Sequence, residues 1–306
     1  MPNHRVLVSH GLGNQLFQYA FAHYLREQNM SDVTVLNSPI VGKLGKGSFD
    51  FDLSQLLSSS KLLSFKKTRV ISNYSIVGRA LFRLKLADRI FAIQTGAKKF
   101  YNCIETRKTS FKFFPSIGSD FGPATFFRGF WQNWQYVYPN QKIINNELVS
   151  HLNRNVKDLN FTRKHKTLLV MHIRRGDLLI RGRDSEIGLI SLDSYFRVID
   201  GITRNNSNID IVTFTDDINS FANESNIIKL GKIFGPETND LWSILKLMSQ
   251  ADYLIVGNST LSWWGGFLSF NKGGEVYIPK NFYKNLEFFD AFNYPGFNLY
   301  ENSFLD

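Results

Sequence analysis

The sequence predicts an α/β protein built on parallel strands, and three stretches predict it. Leu168-Leu169-Val170-Met171-His172-Ile173 is an almost continuous apolar run that stops at Arg174-Arg175-Gly176-Asp177, as a strand buried on both faces does on leaving its sheet. Near the start, Val6-Leu7-Val8 passes through a glycine-bearing turn and a helical run to a second apolar stretch, Val33-Thr34-Val35-Leu36. That is a β-loop-α-β unit. Further on, Tyr253-Leu254-Ile255-Val256 runs through Gly257-Asn258-Ser259-Thr260 into another helix. Ligands of open α/β sheets bind beyond the carboxyl ends of strands, so each turn is a candidate site.

Length and composition bound the rest. A chain of 306 residues has room for one large or two ordinary domains. With 43% hydrophobic and 20% charged residues it is globular rather than disordered. The 15% aromatic share, with 28 Phe and 12 Tyr, hints at sugar-stacking or interfacial surfaces. Cys103 is the only cysteine, so no intrachain disulfide forms and no oxidising compartment is required. Met1-Pro2-Asn3-His4-Arg5 lacks the pattern of a secretory signal, and no run of about 18 apolar residues is present to span a membrane. A cytoplasmic location is expected.

The net charge of +10 is unevenly spread. Residues 1–165 hold 23 Lys and Arg against 9 Asp and Glu, while residues 166–306 hold 13 against 17. Within 61–112, 13 basic residues face only Asp88 and Glu105. A soluble anion needs a few placed cations; a broad basic field suits a polyanion or an anionic bilayer surface.

Taken in order, the turn after the first strand reads Ser9-His10-Gly11-Leu12-Gly13-Asn14-Gln15. Two glycines permit a tight passage into a helix whose amides can face a ligand, and Leu16, Ala20 and Tyr24 recur at helical spacing. Asn14 and Gln15 can hydrogen-bond hydroxyls or cap the helix. Residues 40–125 carry few strand signals. Ile76 to Phe91 reads as an amphipathic helix with Arg79, Arg83 and Arg89 off its apolar side, suited to a domain core or a membrane surface. Gly129-Phe130-Trp131-Gln132-Asn133-Trp134 sets flat rings beside amides, a combination that suits a sugar. A polar stretch over 140–165 marks the junction, with domains at 1–160 and 161–306.

In the second half, Leu192 to Ile199 begins a helix with Asp193 as N-cap. Ile209 to Thr215 is a strand ending in Asp216-Asp217. Paired carboxylates there can bind a metal, serve as acid and base, cap the next helix or hold the arginines. Asp240 to Ser249 is a helix. Ser259 and Thr260 open another directly after a strand, where phosphate can meet backbone amides and hydroxyls. Arg174 and Arg175 suit an anion as well, since guanidinium stays charged and its fork fits phosphate oxygens; pairing with Asp177 is the alternative.

Four motifs in order, Gly11-Leu12-Gly13-Asn14-Gln15-Leu16-Phe17-Gln18-Tyr19-Ala20, His172-Ile173-Arg174-Arg175-Gly176-Asp177, Thr213-Phe214-Thr215-Asp216-Asp217 and Asn258-Ser259-Thr260-Leu261-Ser262-Trp263-Trp264, resemble the alpha-1,2-fucosyltransferases, glycosyltransferase family 11. Gly129 to Gln132 and Leu192 to Phe196 are similar to family patterns too. The resemblance implies a GT-B architecture, two Rossmann-like domains facing across a cleft. GDP-fucose would lie on the C-terminal domain and the acceptor sugar on the basic N-terminal one, with the last 20 or so residues packing back on the latter. It implies inverting transfer of L-fucose from GDP-β-L-fucose to the 2-hydroxyl of a β-galactoside, with no metal or cofactor. Bacterial relatives commonly act on lipid-linked intermediates of surface polysaccharide such as O-antigen.

The resemblance also implies roles. Arg174 would stabilise the β-phosphate of the leaving group, with Arg175 and Asp177 as supports and His172 close to the nucleotide. Ser259 and Thr260 would bind phosphate at the helix start, with Asn258 beside them on the donor side. Gly11, Gly13, Asn14, Gln15, Trp131 and Gln132 would line the acceptor side. Two departures stand out. Where the family usually has glycine this chain has His10, whose imidazole could be the general base. Where many members carry an aspartate it has Ile244, which leaves guanine recognition to Asp240, one helical turn earlier, as a substitute. A basic acceptor domain beside a pyrophosphate-linked lipid implies peripheral attachment to the anionic inner face of the plasma membrane. Two readings compete: a fucosyltransferase with another acceptor or linkage, and a basic polyanion or RNA binder without activity. Against the binder, Trp131, Trp134, Arg174 and Arg175 lie outside the basic 61–112 region, so no nucleic acid is expected.

Overall fold

The computed structural model describes residues 3–29, 32–37, 40–41, 53–59, 63–66, 71–72, 101–105, 111–117, 125–176, 178, 187–204, 206, 208–221, 224–238, 240–284 and 289–305. The chain divides into two compact units, Met1–Glu147 and Leu148–Asp306. The division falls within a helix, ahead of the junction expected near residue 160. Polarity alone does not tell an exposed helix from a linker.

In the first unit, strand β1 (Asn3–Val8), helix α1 (Leu12–Asn29) and strand β2 (Asp32–Asn37) make the expected β-loop-α-β start. After them come β3 (Ile40–Val41), α2 (Ser54–Ser59), β4 (Ser64–Lys66), β5 (Ile71–Ser72), β6 (Tyr101–Ile104) and β7 (Thr125–Arg128). The five-stranded sheet runs β4-β2-β1-β7-β6 with every pairing parallel. Phe17, Tyr19, Ala20, Phe21 and Ala22, which face successive sides of α1, are all fully buried. A helix apolar all round is one enclosed by its unit. Arg79, Arg83 and Arg89, and the helix expected around them, lie outside the described residues.

Helix α3 (Gln141–Asn155) carries the division. The second unit continues with β8 (Thr167–Ile173), α4 (Leu192–Thr203), β9 (Ile209–Thr215), β10 (Lys232–Phe234), α5 (Leu241–Met248), β11 (Tyr253–Ile255), α6 (Thr260–Lys272), β12 (Glu275–Pro279) and β13 (Asn298–Tyr300). Its sheet runs β10-β9-β8-β11-β12-β13, again all parallel. Numbered within the unit, that is 3-2-1-4-5-6, the order of a dinucleotide-binding sheet. The GT-B expectation of two Rossmann-like units in one chain is met. β8 is central, and Leu168 to Met171 are fully buried, as their unbroken apolar run demands.

At the end of the chain β13 pairs with β12, extending the second unit's own sheet, and Phe304 bridges Ile190. A three-residue edge strand has no periodicity to announce it. The N-cap of α4 is Ser191, with Asp193 inside the first turn, where a carboxylate still complements the helix dipole.

Candidate functional site

Where the strand order of such a sheet reverses, at a switch point, the loops part to leave a crevice. In the second unit the reversal lies between β8 and β11, which pair from Leu169 opposite Tyr253 to Met171 opposite Ile255. Arg174 and Arg175 leave β8 there, and Gly257 to Thr260 leave β11. The two turns meet closely: a Cβ on Gly257 would stand 2.3 Å from the His172 carbonyl oxygen.

The arginine turn is held from its other flank. Asp216, just past β9, accepts on Oδ1 from the backbone N–H groups of Arg175 (2.5 Å) and Gly176 (2.9 Å). Asp217 accepts from the Asn219 amide at 3.0 Å and so caps its own turn. Of the roles open to this carboxylate pair, holding the arginine turn and capping are the ones formed. Among the described residues no three His, Cys, Asp or Glu side chains gather as metal ligands.

Arg174 is half-buried and close enough to His172 to act on its titration. Burial, opposed by Asp216 and aided by Arg174, lowers the His172 pKa to about 4, so the ring is neutral at physiological pH. Arg175, expected as a support beside Arg174, is enclosed by the unit. It is 2% exposed, and its Nε and Nη2 make no hydrogen bond. It lines a cavity of about 290 Å³ with Ser191, Asp193, Ser220 and Glu224. Adjacent residues leaving a strand point to opposite sides, so one arginine stays at the crevice and the other enters the unit. Asp177 lies outside the described residues.

Asn258 is tied into the unit as well. It is 1% exposed, and its Nδ2 donates to the Gly188 carbonyl at 2.8 Å, pinning the loop before α4. Ser259 occupies the N-cap of α6 and Thr260 its first turn; the Ser259 hydroxyl makes no capping bond. Its oxygen is therefore not consumed by the helix it opens. Asp240, offered for guanine, is the N-cap of α5: Oδ1 accepts from the Trp242 amide at 3.1 Å and Oδ2 from the Ser243 hydroxyl. Ile244 is buried in the same helix.

The first unit reverses between β1 and β7, which puts His10 to Gln15 and Gly129 to Gln132 at one switch point. Amides lace the two turns together. Gln18 accepts from the Ser9 amide at 2.9 Å and donates to the Gly129 carbonyl at 2.7 Å. Gln132 donates to Asn14 Oδ1 at 2.6 Å, and Gln15 to the His10 carbonyl at 2.6 Å. Gly11 accepts from the Asn14 and Gln15 amides as α1 begins, with Gly13 buried in its first turn. His10 has φ 68°, which explains why glycine suits this position. Its Nδ1 lies 2.9 Å from the Ser9 hydroxyl, and burial lowers its pKa.

Trp131 is not an open sugar platform. It is 3% exposed, stacked on Phe21 at 4.1 Å and edge-on to Phe127 and Tyr136. A left-handed backbone (φ 52°) accompanies that inward ring. In the second unit Trp263, Trp264, Phe267, Tyr294 and Phe297 form a similar core. Much of the aromatic excess is thus core. Gln18 lies inside the first sequence motif, where nothing in its spacing marks it, and the Asp216-Asp217 pair suits several roles by sequence alone. Glu105, which bonds the Phe130 amide at 2.6 Å, follows a weakly patterned stretch that gave no signal.

The model of glycosyl transferase family 11 matches residues 4–294, a span that includes both switch points. The chain belongs to this family. The O-antigen biosynthesis glycosyltransferase WbnK of Escherichia coli is 28% identical over 295 residues, covering 90% of this chain and 93% of that protein. An alpha-1,2-colitosyltransferase, also of Escherichia coli, is 26% identical over 288 residues, covering 90% and 91%. A family 9 glycosyl transferase structure from Veillonella parvula DSM 2008 aligns with TM-score 0.47 at 12% identity, covering 98% of this chain and 86% of that one. A likeness that distant carries no argument. As a family 11 chain the protein is a glycosyltransferase, and no described helix is long and apolar enough to cross a membrane.

Proposed function

We propose that this family 11 enzyme transfers L-fucose, with inversion and without a divalent metal, from GDP-β-L-fucose to the 2-hydroxyl of a β-galactoside during O-antigen synthesis. The observation that carries the reading is the convergence of Arg174 and the Ser259–Thr260 helix start on the β8/β11 switch point. A fixed guanidinium and helix amides suit a leaving diphosphate as its charge grows. The second unit takes the donor, with His172 beside the nucleotide. The first takes the acceptor through its amide-laced crevice, where Asn14 is half-buried. His10 is the base. Burial keeps its imidazole neutral, and with Nδ1 engaged by Ser9 the proton passes through Nε2. An acceptor carried on an anionic lipid suits the basic first half, and the protein works at the inner face of the plasma membrane.

The test is GDP release from GDP-fucose in EDTA, with and without lactose, in the wild type and Arg174→Ala. Acceptor-dependent release that Arg174→Ala lowers by about 10²-fold or more supports the reading. No GDP binding by calorimetry overturns it. The colitosyltransferase relative supports a second reading, a colitosyl donor. Turnover of that donor at ten times the kcat/KM of GDP-fucose would favour it.

A further inference from the structure

We propose that Glu105 is a positioning residue for the acceptor side of the reaction, the carboxylate around which the first unit's crevice is folded. The inference rests on the reading that this unit takes the acceptor. Glu105 directly follows β6, the strand beside β7. Its Oε2 accepts from the Phe130 amide at 2.6 Å and the Trp131 amide at 3.3 Å, and the Phe111 amide also bonds the carboxylate. Three backbone donors from two separate turns converge on one side chain.

Backbone strain falls on the same place. Among the described residues, the non-glycine positions with positive φ are His10 (68°), Phe111 (68°) and Trp131 (52°). Phe111 and Trp131 both donate to Glu105. The His10 ring stands edge-on to Phe130 at 4.8 Å, and Phe130's amide is the third donor. Bulky left-handed residues persist only where their surroundings over-determine them. A carboxylate that gathers three N–H groups does so here; burial pushes its pKa up, and those three bonds oppose that shift. The turn it fixes presents the Gly129 carbonyl to Gln18 and Gln132 to Asn14. Gly129 lies hard against it: a Cβ would meet Glu105 Cβ at 2.5 Å and Oε2 at 2.8 Å. Buried carboxylates that serve only packing have cheaper apolar replacements; this one shapes a crevice.

The test uses Glu105→Ala, Glu105→Gln and Gly129→Ala in the full chain, with hydrogen exchange of the 129–132 amides and initial rates. Glu105→Ala should speed that exchange and raise the acceptor KM about tenfold. Donor KM, GDP affinity and donor hydrolysis without acceptor should stay unchanged. Glu105→Gln, which keeps an accepting oxygen, should recover most of the acceptor KM. Gly129→Ala, which presses a methyl onto an intact Glu105, should raise acceptor KM too and serves if Glu105→Ala does not fold. Unchanged exchange at 129–132 in Glu105→Ala, or unchanged acceptor KM in all three variants, overturns the inference. Donor hydrolysis and GDP binding separate these outcomes from failure of the transferase reading, because they would be lost in the wild type as well.

Discussion

Gly257→Ala probes how closely the two strand ends at the second unit's switch point touch. The new Cβ would stand 2.3 Å from the His172 carbonyl oxygen and 2.9 Å from the Tyr195 hydroxyl. Non-bonded heavy atoms settle at about 3.5 Å, so roughly 1 Å must be found between β8 and the turn after β11. The obstacle is the backbone of a strand paired on both sides, which cannot swing away as a side chain can. Overpacking of this kind costs about 1–3 kcal/mol, and a backbone obstacle belongs at the upper end. That lowers the melting temperature by roughly 3–5 °C for a chain of 306 residues. GDP affinity should fall by about tenfold or more, since Arg174 and Ser259 sit on the displaced turns. Gly201→Ala is the control. It is exposed near the end of α4, and its Cβ would meet nothing within 4 Å. It should raise stability by up to about 0.5–1 kcal/mol and leave GDP binding alone. Calorimetry, scanning and titrating, reads both effects. Wild-type melting and GDP affinity in Gly257→Ala would refute the close approach and the site geometry built on it.

Asp216→Ala frees the Arg175 and Gly176 amides; kcat should drop about 10²-fold, with Asp216→Asn milder, and unaltered steady-state kinetics would count against the held turn. Asp240→Ala removes the α5 cap, costing about 1 kcal/mol by urea titration. GDP affinity should not change; a tenfold loss would restore Asp240 to guanine recognition. His172, with its pKa lowered to about 4 by burial, binds its proton later in the folded than in the unfolded chain as pH falls. Its contribution to stability is full above pH ~6.5 and is lost as pH falls toward 4. His4, His10 and His151, lowered in the same direction by burial, add to that loss. Unfolding measured from pH 7.5 to 4.5 should show this decline, less steep in His172→Gln; identical slopes would show that His172 is not the source.

The sheets were legible because a strand buried on both faces has to be apolar throughout. Residues 168–173 and 253–256 could hardly be read otherwise. The turns that follow them were legible too, since charge and hydroxyls cannot stay inside the sheet. What each turn residue does was less so. Arg174 and Arg175 are identical letters that the chain sends to different surroundings, and only packing decides which enters the unit. Trp131 beside Gln132 reads like a sugar platform, yet φ 52° goes with a ring set against Phe21. Glu105 was invisible because its partners are backbone amides, and backbone amides leave no mark in a sequence. Asp240 carries two meanings at once: a carboxylate beside a ligand motif reads as recognition, and the helix behind it takes the same side chain as its cap.

The loop from Ile187 to Ser191 has a further consequence, for the order of synthesis. Its backbone bonds run forward along the chain, from the Ser191 amide to the Ser303 carbonyl at 2.9 Å and to the Leu189 carbonyl from the Leu305 amide at 2.8 Å. Asn258, meanwhile, holds Gly188. A ribosome adding about 5–20 residues per second needs on the order of ten seconds to go from Ser191 to Ser303. Over that interval β8 waits first for β9 and β11 and, to the last, this loop waits for its backbone partners at Ser303 and Leu305. The first unit, whose sheet is complete by Arg128, can fold meanwhile. The half that would bind the acceptor is thus ready first, and the half that would bind the nucleotide is the one exposed to chaperones and proteases while it waits.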